Sequence, residues 1–438
     1  MDGCTTERPA RAGADIVTNS PSKTNALLIV TLGTLLSAGS VESLGLDTEA
    51  DPAQQEDIDR YNRILEKLQE ETAKASSSDV LITVQDRDVS LLQSRIAERG
   101  KAGRPLPAGG IEAQFGEGIT GGDVWGWIRS LLDHKSQKHP IVRPPDDKVG
   151  TLGDTGRVAV VGDWGTNLYG APVSAASIKR TGGYELLLHL GDIYYSGTKT
   201  EAKQRFLDVW PTSAGKVSRA LNGNHEMYSG GFAYFDDILP KFKQPSSYFA
   251  LQNTNWLLVG LDTAHTDHAV DTEQVAWLKS IVRKAGQRKV ILFSHHQLFS
   301  RLDGQGPDLQ TGLADVFQKT AITAWYWGHE HDCIIYDKHP KFGLLGRCIG
   351  HGGIPSPRKR EVMDADVDRR LNGVAWMRLS ASSDAPSCLV LDGPNPLVKG
   401  EAQKFGPHGY LTLDFDGPEL IERVYLPDGT EIFKGQVR

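Results

Sequence analysis

The chain has 438 residues, 48 Lys and Arg against 55 Asp and Glu, a formal charge of −7 and 39% hydrophobic residues. That apolar content supports a sizeable core and excludes wholesale disorder, and the acidic balance argues against a nonspecific nucleic-acid binder, which needs a basic surface, while leaving room for a local basic patch. Four cysteines with no CxxC pair exclude a disulfide scaffold and a zinc knuckle, and no apolar run reaches the roughly 18 residues of a membrane span.

Residues 1–25 are polar, aperiodic and interrupted by Pro9 and Pro21, and read as disordered. Residues 26–38, ALLIVTLGTLLSA, have the length of a signal-peptide apolar segment, and Ala38-Gly39-Ser40 offers small residues for cleavage. Asp2, Glu7 and Asp15 offset the positive residues ahead of it, so a cytoplasmic protein is favoured and export is the alternative. Residues 54–74 repeat Ile58, Tyr61, Leu65 and Leu68 at helical spacing, predicting an amphipathic helix on a core or a partner. Residues 99–122 are rich in Gly and Pro and read as a linker or long loop, and 123–133 as one short helix. Residues 1–150 together form an N-terminal extension of unassigned role, open to a protein partner or to self-association.

From Arg157 the pattern becomes regular. Short apolar runs each end in a cluster of Gly, Asp, Asn or His: Val158–Val161 before Gly162-Asp163, Leu186–Leu190 before Gly191-Asp192, Trp256–Leu261 before Asp262, Val290–Phe293 before Ser294-His295-His296, and Thr323–Trp327 before Gly328-His329. These have the length and branching of buried strands. Residues 272–287 read as a helix between two of them, with Val275, Leu278, Val282 and Ala285 on one face and Asp271 and Gln274 as a capping pair. Strands alternating with helices predict an α/β fold, whose polar strand ends build the site.

Asp163, Asp192, Tyr195, Asn224, His295, His329 and His331 come from five such turns: GDWG, GDIYY, GNHE, SHH and GHEH. All are oxygen or imidazole donors, a set suited to iron, zinc or manganese. Seven donors divide naturally over two ions with a bridging carboxylate, and two ions about 3.5–4 Å apart suit hydrolysis at phosphorus. Taken singly each turn is ordinary strand-end punctuation; the order of all five is what points to a site.

The five turns resemble the motifs of calcineurin-like metallophosphoesterases and, more narrowly, of purple acid phosphatases: GDxG at 162–165, GDxxY at 191–195, GNH(E/D) at 223–226, VxxH at 292–295 with Leu292 for Val, and GHxH at 328–331. The C-terminal segment from Gly409 resembles the closing strands of small acid phosphatases of mammalian type, so the likeness spans about residues 157–438. It implies a two-sheet α/β/β/α sandwich over residues 155–438. It implies that Asp163, Asp192, Tyr195 and His331 bind one metal and Asp192, Asn224, His295 and His329 the other, with Asp192 bridging. His225 would stabilise or protonate the leaving group, and Glu226 would orient His225. Gly165 stands where the wider family carries a histidine ligand, and the phenol of Tyr195 stands in for it. A phenolate favours Fe(III), so the implied pair is Fe(III) with Fe(II), Zn(II) or Mn(II). The implied reaction is hydrolysis of a small phosphomonoester by a metal-held hydroxide. A phosphodiesterase acting on nucleotides or phospholipid headgroups and a non-catalytic metal-binding scaffold are the alternatives.

His296, beside a ligand, and His351, in IGHGG after a predicted strand, are candidates to reach substrate. His265 and His268 follow the run ending at Asp262 and either line the mouth of the site or face solvent, while His139, His189 and His408 read as structural or exposed.

Overall fold

The computed structural model describes residues 86–88, 90–91, 94, 101–105, 111–114, 137–304, 306–358, 366–400 and 402–438. The readings at 1–25, 26–38, 54–74 and 123–133 lie outside these residues.

Two sheets stack face to face. The first runs β18-β17-β16-β4-β5-β6: β4 (Thr155–Val161), β5 (Tyr184–His189) and β6 (Gly215–Ala220) are parallel, and the antiparallel C-terminal strands β16 (Tyr410–Asp416), β17 (Glu419–Tyr425) and β18 (Glu431–Gln436) extend it. The second has ten strands. Its parallel centre is β8 (Trp256–Gly260), β9 (Lys289–Ser294), β10 (Ile322–Trp327) and β12 (Leu345–Ile349). The antiparallel strands β11 (Cys333–Lys338), β15 (Cys388–Asp392), β14 (Val374–Leu379) and β13 (Asp366–Leu371) flank it on one side. On the other lie β7 (Phe249–Gln252) and the two-residue β3 (Gly150–Thr151).

The strand runs are continuously apolar because both faces of each are covered. Val158, Val160, Leu186 and Leu188 meet Leu258, Ile291, Phe293 and Tyr326 between the sheets. Ala159, Val161 and Leu187 face outward beneath Ala171, Ala175 and Ile178 of helix α1 (Gly170–Thr181). Leu257, Val259, Val290 and Leu292 face outward on the other side beneath Leu278, Ile281 and Val282 of the predicted helix, which spans Thr272–Arg283. This is the expected α/β/β/α sandwich. Asp271 caps the latter helix by accepting from Gln274 N at 2.8 Å, but the Gln274 side chain does not return the bond: its amide brackets Asp262 N and Asp262 O, both at 2.8 Å.

The packed body begins earlier than residue 155. Val142 O accepts from Ser247 N at 2.9 Å, Arg143 pairs with Asp271 at 2.8 Å, and β3 joins the ten-stranded sheet. Leu91 is buried, and Ser94 Oγ reaches Ser196 Oγ at 2.6 Å and Glu201 Oε1 at 3.0 Å. The stretch 99–122 is not purely a loop: β1 (Lys101–Pro105) and β2 (Ile111–Gln114) pair antiparallel within it. Cys333 and Cys348 lie on adjacent strands but face opposite layers, and both are free thiols. Among the described residues no helix is long and apolar enough to cross a membrane.

Candidate metal centre

The site forms where β4, β5, β9 and β10 end. Asp163, Asp192, His329 and His331 all sit at positive φ (55°, 74°, 69° and 53°), a conformation that non-glycine residues hold only where the surroundings fix it. Glycines make room for them. A Cβ on Gly223 would lie 2.2 Å from Asp192 Oδ1, and one on Gly328 would lie 2.5 Å from Asp163 Oδ2.

The polar atoms that converge here are mostly acceptors. His295 Nδ1 donates to the Leu190 carbonyl at 2.9 Å, so in the neutral ring Nε2 carries the lone pair. That Nε2 faces Asp192 Oδ1 at 3.3 Å and Asn224 Oδ1 at 2.8 Å. Asn224 is turned oxygen-inward because its Nδ2 donates to Tyr228 Oη at 2.8 Å. His329 Nδ1 lies 3.1 Å from the same Asn224 Oδ1 and 3.3 Å from His295 Nε2. Acceptors facing one another in a buried site require a cation among them, either a proton or a metal ion. The charge balance agrees. Burial alone would lower the His295 pKa, yet the Asp192 carboxylate raises it to about 9. Burial likewise opposes ionisation of Asp192, but the neighbouring imidazoles, His295 first, hold its carboxyl well below the usual range.

A second group lies alongside. Asp163 Oδ2 accepts from His329 N at 2.9 Å, while its Oδ1 is buried without a hydrogen-bond partner and lies 3.6 Å from His331 Nε2. Burial raises the Asp163 pKa well above the carboxylate range. Ligand atoms of Asp192, His295 and His329 lie within 4.8 Å of one another, and so do those of Asp163, Asp192 and His331. Asp192 is common to both groups. The donors thus fit two cations sharing one carboxylate.

Two expected roles change. The phenol at the cluster belongs to Tyr194, not Tyr195: Tyr194 Oη donates to Asp192 Oδ2 at 3.0 Å and lies 2.6 Å from His331 Nε2. Tyr195 is turned away because Glu201 collects the backbone N–H groups of Tyr195, Ser196 and Thr198 at 2.8–3.1 Å. The Tyr195 ring then packs under the Arg205 guanidinium, 5.2 Å from its centroid, and burial raises the pKa of its phenol. Glu226 does not orient the His225 ring either. Its carboxylate accepts from Ile193 N at 2.7 Å, Gly223 N at 2.8 Å and Asp192 N at 3.1 Å, tying the second turn to the third. Burial pushes the Glu226 pKa up to about 7. His225 is held instead by the Tyr195 carbonyl, which accepts from Nδ1, and its Nε2 is buried without a partner.

His296 lies on the His329 side of the cluster, with ring centroids 4.7 Å apart. His351 does not join. Its ring is buried beside Gly409 and His408, and burial lowers its pKa to about 3. His265 turns away and bonds the His139 carbonyl at 2.9 Å. His268, from the same loop, does reach the cluster edge, 3.9 Å from His296 between centroids. Tyr194 was hidden by an adjacent tyrosine that matches the motif; His268 is one of the two loop histidines named as lining the mouth, and nothing in the sequence separates it from His265.

Residues 156–333 match the model of the calcineurin-like phosphoesterase family. Over this stretch the chain resembles a calcineurin-like phosphoesterase. Taken with the two groups sharing Asp192, the match supports a metal-dependent phosphoesterase. No curated protein matches the chain. Solved structures similar to this chain include the GAP50 anchor of the inner membrane complex of Plasmodium, at 13% identity and TM-score 0.45, covering 65% of this chain and 89% of that one. PhoD follows at 11% and 0.42, covering 66% and 73%. A Vps29 single mutant from Entamoeba histolytica has 13% identity and a TM-score of 0.29, covering 64% and 99%.

Proposed function

We propose that the domain hydrolyses phosphomonoesters in the manner of a purple acid phosphatase. The observation that carries this reading is the convergence of His295 Nε2, Asn224 Oδ1 and Asp192 Oδ1 on one point, with Asp192 also belonging to the group of Asp163 and His331. Asp163, Asp192, His331 and Tyr194 would hold one ion, and Asp192, Asn224, His295 and His329 the other. A phenolate among hard oxygen and nitrogen donors favours Fe(III) at the first position, with Fe(II), Zn(II) or Mn(II) at the second. Two such ions supply a nucleophile near neutral pH and neutralise charge developing on the phosphoryl oxygens.

The chain's own residues do the rest. Glu226 fixes the second and third turns against each other, so the shared carboxylate and the Asn224 amide keep their separation. Tyr228 keeps the Asn224 oxygen pointing inward. His225, with Nδ1 committed to the Tyr195 carbonyl, offers Nε2 as the one atom that can exchange a proton with a substrate oxygen. A doubly charged phosphate ester beside that ring favours its protonation, as departure of an alkoxide requires.

The test compares hydrolysis of p-nitrophenyl phosphate and bis-p-nitrophenyl phosphate by the full chain loaded with iron plus zinc or manganese. Faster monoester turnover is expected. Preference for the diester would assign a phosphodiesterase, and inertness toward both with metals bound would assign a non-catalytic metal protein.

A further inference from the structure

We infer that the chain carries a third cation subsite, formed by the imidazoles of His268, His296 and His329 and suited to a divalent ion such as Zn²⁺. Ring nitrogens of the three residues lie within 4.8 Å of one another, as close as in either group that shares Asp192. The three rings are mutually adjacent, with centroids 3.9, 4.7 and 5.3 Å apart.

The two residues that the dinuclear reading leaves out are set up as ligands. His296 is fully buried; its Nδ1 is held by Thr263 Oγ1 at 3.0 Å, and its Nε2 is buried without a partner. In His268 the Nδ1 donates to Asp267 Oδ1 at 2.8 Å, which places the lone pair on Nε2, and that atom too is buried and unpartnered. A carboxylate on one ring nitrogen with the other turned inward is the arrangement by which proteins orient a metal-binding histidine. Thr263 plays the corresponding part for His296. A buried imidazole nitrogen without a partner is unfavourable, and two of them in one cluster of rings call for a shared guest.

The loop that presents His268 has defined geometry. Asp262 Oδ1 accepts from Ala264 N at 3.2 Å and His265 N at 2.9 Å, and Ala269 N donates to Thr266 O at 2.8 Å. His268 therefore returns over the strand ends while His265 leaves them. Three imidazoles with a remaining open position match the ligand set of an exchangeable zinc rather than a closed structural one. The three ligands are all imidazoles, so zinc, copper or nickel fits and calcium or magnesium does not. His329 is shared between this subsite and the group of Asp192 and His295; to serve both ions at once its ring would release the N–H proton to solvent and bind as an imidazolate.

Zinc alone is titrated into the chelator-stripped full chain, and bound metal is counted after gel filtration. Wild type is expected to retain about three zinc ions per chain and His268→Ala and His296→Ala about two each, with the double variant no lower than either single one. Asp163→Asn is expected to lose an ion that both histidine variants keep. Wild type holding only two ions, or His268→Ala still holding three, overturns the subsite. So does a fall below two in both variants, which would mean that the rings support the dinuclear centre instead. His268 is the more exposed residue, and His268→Ala keeps the test open should His296→Ala fail to fold. Because the count needs no turnover, two ions with full phosphatase activity would remove this subsite and leave the proposed function standing.

Discussion

The exchange of Tyr195 for Tyr194 is decided by one buried carboxylate. Glu201 accepts the N–H groups of Tyr195, Ser196 and Thr198, and that fixes which of two adjacent phenols turns inward. The consequence is optical. In the iron-loaded chain, Tyr194→Phe should abolish the visible tyrosinate-to-iron band and Tyr195→Phe should leave it in place. A band lost with Tyr195 and kept without Tyr194 would return the motif residue to the metal. At this scale much was legible beforehand. Asp163, Asp192, Asn224, His295, His329 and His331 could be named because each follows an apolar run or sits in a glycine-flanked turn. Tyr194 and the true contacts of Glu226 could not, since they depend on hydrogen bonds between turns 30 or more residues apart. The position of His268 depends likewise on Asp262 and on the packing of its loop over the strand ends.

At the scale of elements, the site is a set of turns pressed together, and glycine sets how closely. A Cβ at Gly223 would lie 2.6 Å from Glu226 Oε2 as well as 2.2 Å from Asp192 Oδ1, both well inside contact distance. Gly223→Ala should therefore displace the shared carboxylate. We expect metal content to fall and kcat to drop by about 10–100-fold, as when groups supporting metal ligands are removed. Unchanged metal binding and turnover would mean that the turns separate without cost. The strands and the 272–283 helix were legible in outline because burial on both faces leaves an unbroken apolar signature. The extent of the packed body was not. Residues 137–154 have no periodicity of their own and are held by partners far along the chain, such as Arg143 on Asp271 and Val142 on Ser247.

At the scale of the whole molecule, the two sheets are joined by a polar bond inside an apolar layer. Arg347 on β12 meets Glu422 on β17 at 2.7 Å, with both side chains at least nine-tenths buried, and Tyr326 Oη donates to the same carboxylate at 2.9 Å. Arg347→Leu leaves Glu422 buried without its cation and should cost about 3–5 kcal/mol of stability, read by denaturant midpoint. The double change with Glu422→Leu should recover most of that loss; an equally unstable double variant would place the cost in packing rather than in the unpaired charge. Acid should destabilise the fold for a related reason. Burial, and for His351 the nearby His408, keep these imidazoles neutral, with pKa values lowered to about 3 for His351 and about 4 for His408. The unfolded chain takes up their protons near pH 6.5 and the folded chain does not. Stability is therefore complete above that pH and is lost as pH falls toward 4, at up to about 1.4 kcal/mol per pH unit for each group. His351→Leu should flatten this decline, and an unaltered profile would assign it to other groups.

In the proposed centre one carboxylate serves two cations, and turnover depends on both. Its most direct measurement is Asp192→Asn in the full chain, with metal content and p-nitrophenyl phosphate hydrolysis followed on the same sample. Loss of metal from both positions together with a fall in kcat of more than about 100-fold is predicted. Two metals retained with turnover near wild type would contradict it.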